Sequence, residues 1–298
     1  MRTTARQAIA VATASALLPL AGCGLSADDP NAERHAAVTG VRQAVHDTGS
    51  VTVDFEVSLG PLNSRDGAHW EGTVRQRYGD RPASEIEYAS FSVRGAADPT
   101  APGALRVIDL HEIALGTVRR ESVRYHRSET LQAPADRPWV RLEPGEHLAY
   151  GPAIADPDLG VVDPEWYLAL LASVDAATAY LSATDRREEI DGVTTDVYRI
   201  SCALASEGCP YPDHDDPLRR MFPDYNPVTV TVWVDGEGRP RRLAADLEFH
   251  VEGSGGPLGG SGYAYRAQAT MSFRDFGEPV DIPPPPPEDD VSEWPPAA

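Results

Sequence analysis

The strongest constraint on this chain is the alternation of apolar and polar residues through its C-terminal third. Val228, Val230, Val232 and Val234 fall on one side of an extended segment, with Thr229, Thr231 and Trp233 on the other. Asp235-Gly236-Glu237-Gly238 turns the chain. Leu243, Ala245, Leu247, Phe249 and Val251 then alternate with Arg242, Ala244, Asp246, Glu248 and His250. Beyond a glycine-rich loop over 252–262, Tyr263, Tyr265, Ala267, Ala269, Met271 and Phe273 repeat the pattern. A period of two puts successive side chains on opposite faces of a strand. Three such strands in a row make an antiparallel meander with one dry face, and that face must be covered.

The earlier part of the chain supplies more strands and the cover. Val51, Val53, Phe55, Val57 and Leu59 alternate with polar residues, and 70–78 and 86–93 read as two further strands. The second of these changes phase between Tyr88 and Phe91, which predicts a bulge. Strands are expected over 105–115, 117–127 and 138–142. Asp191-Gly192 is a hairpin signal between strands over 180–190 and 193–204. Two helices are expected. One spans Glu33 to Asp47, with Ala37, Val38, Val41, Ala44 and Val45 at helical spacing. The other starts at an Asp163 N-cap followed by Pro164 and Glu165, with Tyr167, Leu170, Leu171 and Val174 as its apolar stripe. About ten strands and two helices predict an α+β fold, a large curved antiparallel sheet wrapped around a few helices. Pro283 to Pro287 is a polyproline run, and a loose acidic tail is expected over 288–298.

The N-terminus reads as an export signal. Arg2 and Arg6 make a positive start, and Ala8 to Leu20 is an apolar run too short to span a bilayer, which takes about 20 residues. Leu20-Ala21-Gly22-Cys23 resembles the bacterial lipobox. That resemblance implies cleavage before Cys23 and thioether lipidation of its sulfur, with 1–22 removed as the signal and 23–32 left as a tether. The expected place of action is outside the cytoplasm, anchored to the cell membrane by an N-terminal lipid. Cleavage would leave 276 of the 298 residues and shift the net charge from −20 to −22, since Arg2 and Arg6 depart. All 26 basic residues are arginine, against 46 acidic ones. Such a charge excludes nucleic acid as a partner, because the phosphates would be repelled, and it excludes polybasic attachment to anionic lipid. With Cys23 assigned to the lipid, Cys202 and Cys209 remain as an even pair in an exported chain. They predict a disulfide contributing roughly 2–3 kcal/mol.

The order of elements, from lipobox and helix through a strand meander, a second helix and a hairpin to the final meander, is joined by several phrases. These are Asp191-Gly192-Val193-Thr194-Thr195 before the Tyr198 strand, Val232 to Leu243, and Phe273-Arg274-Asp275-Phe276-Gly277-Glu278-Pro279-Val280-Asp281-Ile282-Pro283. Together they resemble the actinobacterial lipoproteins of the mycobacterial LppX/LprAFG group, with a LolA-like fold, over Glu33 to Pro287. The resemblance implies a half-barrel plugged by helices and a space between sheet and helices that holds acyl chains. It also implies a lipid or glycolipid ligand and no cofactor. The motifs are turns and strand ends, so no ligand residue transfers beyond Cys23. The chain departs from the pattern in its longer Pro-rich loops and around 209–227.

Local motifs do not make a catalytic site. His111-Glu112 lacks the second histidine of a zinc-protease helix, because position 115 is leucine. Asp213-His214-Asp215-Asp216 has metal-ligand chemistry but reads as a solvated acidic loop. Ser254 and Ser261 stand among glycines without completing a nucleophile elbow. The expectation is therefore a noncatalytic, membrane-anchored protein. Its apolar strand faces are either ordinary core against Val41, Val45, Leu170 and Leu171, or in part the lining of a lipid cavity. The rival expectation is an envelope interaction or sensor module that binds a protein partner.

Overall fold

A computed structural model of the chain describes residues 30–62, 67–80, 82–94, 115–120, 123–127, 134–142, 162–174, 180–204, 209, 226–251 and 263–293. The alternating segments form one 12-stranded sheet. Its strands are β1 (Ser50–Pro61), β2 (Gly67–Arg77), β3 (Ala83–Arg94), β4 (Leu115–Arg120), β5 (Val123–Arg127), β6 (Trp139–Leu142), β7 (Tyr180–Ile190), β8 (Val193–Leu204), β9 (Asn226–Asp235), β10 (Pro240–Val251), β11 (Tyr263–Arg274) and β12 (Val291–Glu293). The spatial order is β12-β6-β5-β4-β3-β2-β1-β11-β10-β9-β8-β7. Two antiparallel meanders, β1 to β6 and β7 to β11, are thus joined where β1 pairs with β11 from Thr52↔Arg274 to Pro61↔Tyr265. Three helices accompany the sheet: α1 (Pro30–Thr39), α2 (Val41–His46) and α3 (Pro164–Ser173).

Register brings the apolar positions of successive strands side by side. Val74 of β2 faces Val53, Val53 faces Phe273, Phe55 faces Met271, and Met271 faces Leu243. Leu243 faces Val232, Ala245 faces Val230, and Ile200 faces Val230 from the other side. All of these are buried in one continuous core with Val38, Val41 and Val45 of the first two helices and Tyr167, Leu168, Leu170 and Leu171 of α3. α2 packs on β1 and α3, and α1 packs on α3 and β7. The sheet therefore has one helix-covered face and one outer face. Opposite Phe55 stands Gly72, where a Cβ would come within 2.8 Å of the Phe55 ring and 2.3 Å of the Glu87 carbonyl oxygen. The core face needs glycine there so that the ring can lie against the strand.

The expected bulge is present. Glu71 pairs with Ser90 but Gly72 pairs with Tyr88, which leaves Ala89 as the extra residue. Asp191 and Gly192 both adopt positive φ, 51° and 78°, as a two-residue hairpin turn of this type requires. Asp163 caps α3 by accepting the Glu165 amide proton at 3.0 Å. Cys202 and Cys209 are joined by a disulfide with Cα atoms 6.0 Å apart.

Four expectations are corrected. The helix expected over 33–47 is two segments divided at Gly40, a weak helix former, although Gly40 still donates to Ala36 and accepts from Ala44 at 3.0 Å each. The single strand expected over 117–127 is two strands, β4 and β5, paired antiparallel from Gly116↔Arg127 to Arg120↔Val123. No glycine or proline between them in the sequence announces the division. The acidic tail is not loose from 288. A 3₁₀ turn at Glu288–Asp290 leads into β12, which pairs in parallel with β6 from Val291↔Trp139 to Glu293↔Arg141. The proline run before it is a strap: Ile282 is buried against Ala83 with Trp139 alongside. Finally, the described residues alone hold twelve strands and three helices, against the expected ten or so and two. The strand expected over 105–115 lies outside the described residues except at Leu115.

Buried charge in the β9–β10 turn sets an acid limit on stability. Burial pushes the Asp235 carboxyl up. The amides of Arg239 and Glu237, with the Arg239 and Arg241 guanidinium groups, outweigh it and hold the carboxyl below the ordinary 3.8. Hydrogen bonds from Arg274, against partial burial, hold Asp54 below the same value. Groups lowered in the folded state contribute stability above the unfolded pKa and lose it as pH falls through the folded one. Unfolding free energy should thus fall progressively below about pH 5. Asp235→Asn should cost about 1–3 kcal/mol at pH 7 and flatten that acid slope in urea titrations. An unchanged slope and midpoint would contradict the assignment.

Candidate functional site

The helix-covered face is the candidate site, and its geometry follows from α3. Trp166, Tyr167, Leu168, Leu170 and Leu171 are all buried. A helix apolar on nearly every side is one enclosed all round, here packed on the first two helices within the core that they share with the sheet. Sequence reading found Tyr167, Leu170 and Leu171 but missed Trp166 and Leu168, because a single-stripe template discards residues off the stripe. The uninterrupted run Trp166-Tyr167-Leu168 was the available signal. Burial, reinforced by the charge of Asp163, pushes the Tyr167 phenol far above its ordinary pKa, so it stays neutral.

One end of the helix-covered face carries a network of polar groups. Arg42 donates to Glu165 at 2.6 Å, and His46 reaches the other oxygen of the same carboxylate at 2.9 Å. The His46 ring stacks on Tyr78 with centroids 4.2 Å apart. Tyr78 donates to Gln76 at 2.6 Å, and Gln76 donates to the N-cap Asp163 at 3.3 Å. His35 meets the Val174 carbonyl at 2.8 Å. This chain of contacts ties α1, α2, α3 and the end of β2 into one unit, with its charges paired as burial requires.

Away from that end the face is apolar and lined by small side chains. Ala245 and Ala269 stand directly opposite each other, and Ala267 stands opposite Leu59 and Leu247. All five are buried. Strands of 12 residues, such as β1 and β10, run about 40 Å at roughly 3.3 Å per residue. The 10 residues of α3 run about 15 Å. The apolar face is therefore much longer than the helix that lies over it. Towards the β7–β8 edge and the far end of β11, Leu181, Tyr198, Cys202 and Tyr265 pack on the core yet remain half-exposed.

The disulfide closes β8 at that rim, with Cys209 fully buried and Cys202 half-exposed. Of the residues singled out in the sequence, Leu20, Ala21, Gly22 and Cys23 lie outside the described residues, as do His111-Glu112, Asp213–Asp216, Ser254 and Ser261. None of the described helices is long and apolar enough to cross a membrane.

The outer face holds one group that sequence reading missed. Ser58 bonds His69 Nδ1 at 2.9 Å, and His69 Nε2 meets Glu71 at 3.2 Å. The connectivity resembles a hydrolase triad with the ring reversed. Ser58, however, lies mid-strand, between β2 and β11. Among the described residues its surroundings are strand ladder, with no pair of convergent amides to bind an oxyanion. Ser58, His69 and Glu71 are 13 residues apart at most, but only the β1–β2 register brings them together, and the loop between those strands is too long for its length to fix that register.

No family model and no characterised protein matches this chain. Among solved structures it is similar to LprF from Mycobacterium bovis, at 14% identity and a TM-score of 0.43, covering 85% of this chain and 97% of the other. It is also similar to the lipoprotein LppX from Mycobacterium tuberculosis, at 16% identity and 0.41, covering 85% and 99%. A LolA superfamily protein from Nitrosomonas europaea matches at 11% identity and 0.24, covering 82% and 91%. At these identities and scores the likeness carries no statement of ligand or activity.

If α3 is the central plug, truncating it should cost as much as any core position. Leu171→Ala should lower unfolding free energy by about 2–5 kcal/mol, read from the urea midpoint at constant m-value. A loss under about 1 kcal/mol would mean that the leucine does not pack as described.

Proposed function

We propose that this protein is a noncatalytic lipoprotein that holds an apolar ligand, an acyl-chain lipid, between the sheet and α3. The observation that carries this reading is the apolar face itself: one continuous surface across β1, β2 and β8 to β11, more than twice as long as α3, with a half-exposed rim at Leu181, Tyr198, Cys202 and Tyr265. The polar network of Arg42, His46, Glu165, Gln76 and Asp163 shuts the opposite end, so a chain enters from the rim. Val57, Leu247 and Ala267 are fully buried in this structure, so entry parts the cover from the sheet rather than filling an open pore. The driving force is removal of the ligand's apolar surface from water, about 25 cal/mol per Å².

The full chain, purified from its own membrane and examined by native mass spectrometry, should retain acyl lipid as a discrete mass increment. It should also take up a fluorescent fatty-acid probe that such lipid displaces. Protein that emerges without lipid and excludes the probe would overturn the reading.

The same proposal places the protein at the outer side of the cell membrane through lipidated Cys23. Two acyl chains give stable attachment where none gives little. Cys23→Ala should therefore move the protein from the membrane pellet to the soluble exported fraction. Full retention in the pellet would contradict the lipobox assignment.

A further inference from the structure

The outer face of the sheet carries an unusual juxtaposition. Glu56 of β1 stands directly opposite Glu71 of β2. Like charges in directly opposed positions destabilise a strand pair. Elsewhere on this face carboxylates meet arginine: Asp54 with Arg274, Asp246 with Arg266, and Glu85 and Glu87 with Arg75. Between Glu56 and Glu71 the nitrogen comes from a histidine. His69 lies two residues from Glu71 on the same strand and face, and one ligand atom from each of the three residues lies within 4.8 Å of the others.

The geometry points to a divalent transition-metal site formed by Glu56, His69 and Glu71, and we propose Zn²⁺ as the class of ion it takes. Zinc accepts imidazole nitrogen and carboxylate oxygen at about 2.0–2.2 Å. Two ligands of a tetrahedral zinc are thus about 3.4 Å apart, and His69 Nε2 is 3.2 Å from Glu71 Oε1. Both glutamates are exposed at this strand surface, so Glu56 closes the remaining gap by a rotamer change alone. The imidazole is already oriented for the role. Its Nδ1 faces the Ser58 hydroxyl at 2.9 Å, which fixes the ring and leaves Nε2 towards the carboxylates, as metal-bound histidines are held by a partner on the other nitrogen. Imidazole with carboxylate favours zinc over calcium or magnesium, which take oxygen alone. Three protein ligands leave the remaining position to water. The site faces away from the helix-covered face, so it stands or falls independently of the lipid reading.

The full chain, purified without a histidine tag and stripped with chelator, is titrated with Zn²⁺ by calorimetry, and with Co²⁺ by visible absorption. Saturable one-to-one binding is expected. His69→Ala and the double variant Glu56→Gln/Glu71→Gln should each weaken it at least 10-fold and abolish the Co²⁺ bands, while Ser58→Ala should weaken it about 10-fold. His214→Ala, in the acidic stretch over 213–216, should leave it unchanged. Circular dichroism of each variant verifies the fold. No saturable binding, or binding that survives His69→Ala and is lost in His214→Ala, would overturn the proposal.

Discussion

The β1–β11 pairing is the interaction on which the rest depends. It joins residues about 220 positions apart, such as Val53 and Phe273, and fuses two meanders into one sheet. Without it there are two half-buried sheets, each with an edge where the core now runs unbroken. With it, Val53, Phe55 and Val57 abut Phe273, Met271 and Ala269, and a single apolar face passes from β2 to β8. The C-terminal strap then returns across the same sheet. Gly277 donates to the Ser50 carbonyl at 2.9 Å, Ile282 packs on Ala83, and β12 closes the β6 edge. A long unpaired edge strand invites pairing with other chains, and the tail leaves only the three-residue β12 as the edge at one end of the sheet.

The face so formed explains why α3 is apolar on nearly every side. It packs on α1 and α2 within the core that they share with the sheet, and the Arg42–His46–Glu165 contacts lock these helices at one end. The other end has no comparable lock among the described residues; its rim is tyrosine, leucine and the disulfide. An interior fixed at one end and half-exposed at the other is what the proposed holding of an acyl chain rests on. On the proposed reading, a chain pushed against the polar end would leave charged groups unpaired, which is costly, so the rim is its way in and out.

Much of this was legible in the sequence because it is local. Strand alternation, the Asp191-Gly192 turn, the Asp163-Pro164 helix start and the phase change between Tyr88 and Phe91 all act within a few residues. What was not legible depends on partners far along the chain. β12 has three residues and no pattern of its own; it is a strand because β6 offers an edge. β4 and β5 read as one strand because no glycine or proline separates them in the sequence. Trp166 and Leu168 are buried because elements distant in the chain pack around α3. The Glu56–His69–Glu71 group exists only once the β1–β2 register is set. Sequence periodicity assigned the faces, and long-range register decided what meets on them.

The central claim is that an acyl chain lies between α3 and the sheet. A fatty acid bearing a photoreactive group along its chain, irradiated on the full-length protein and mapped by peptide mass spectrometry, tests this directly. Labels are predicted on Trp166 to Leu171 and on facing residues of β1, β10 and β11 such as Val57, Leu247 and Ala267, and competing acyl lipid should suppress them. Labels confined to outer-face residues such as Glu56, Arg75 or Asp246, or labelling that competing lipid leaves unchanged, would contradict it.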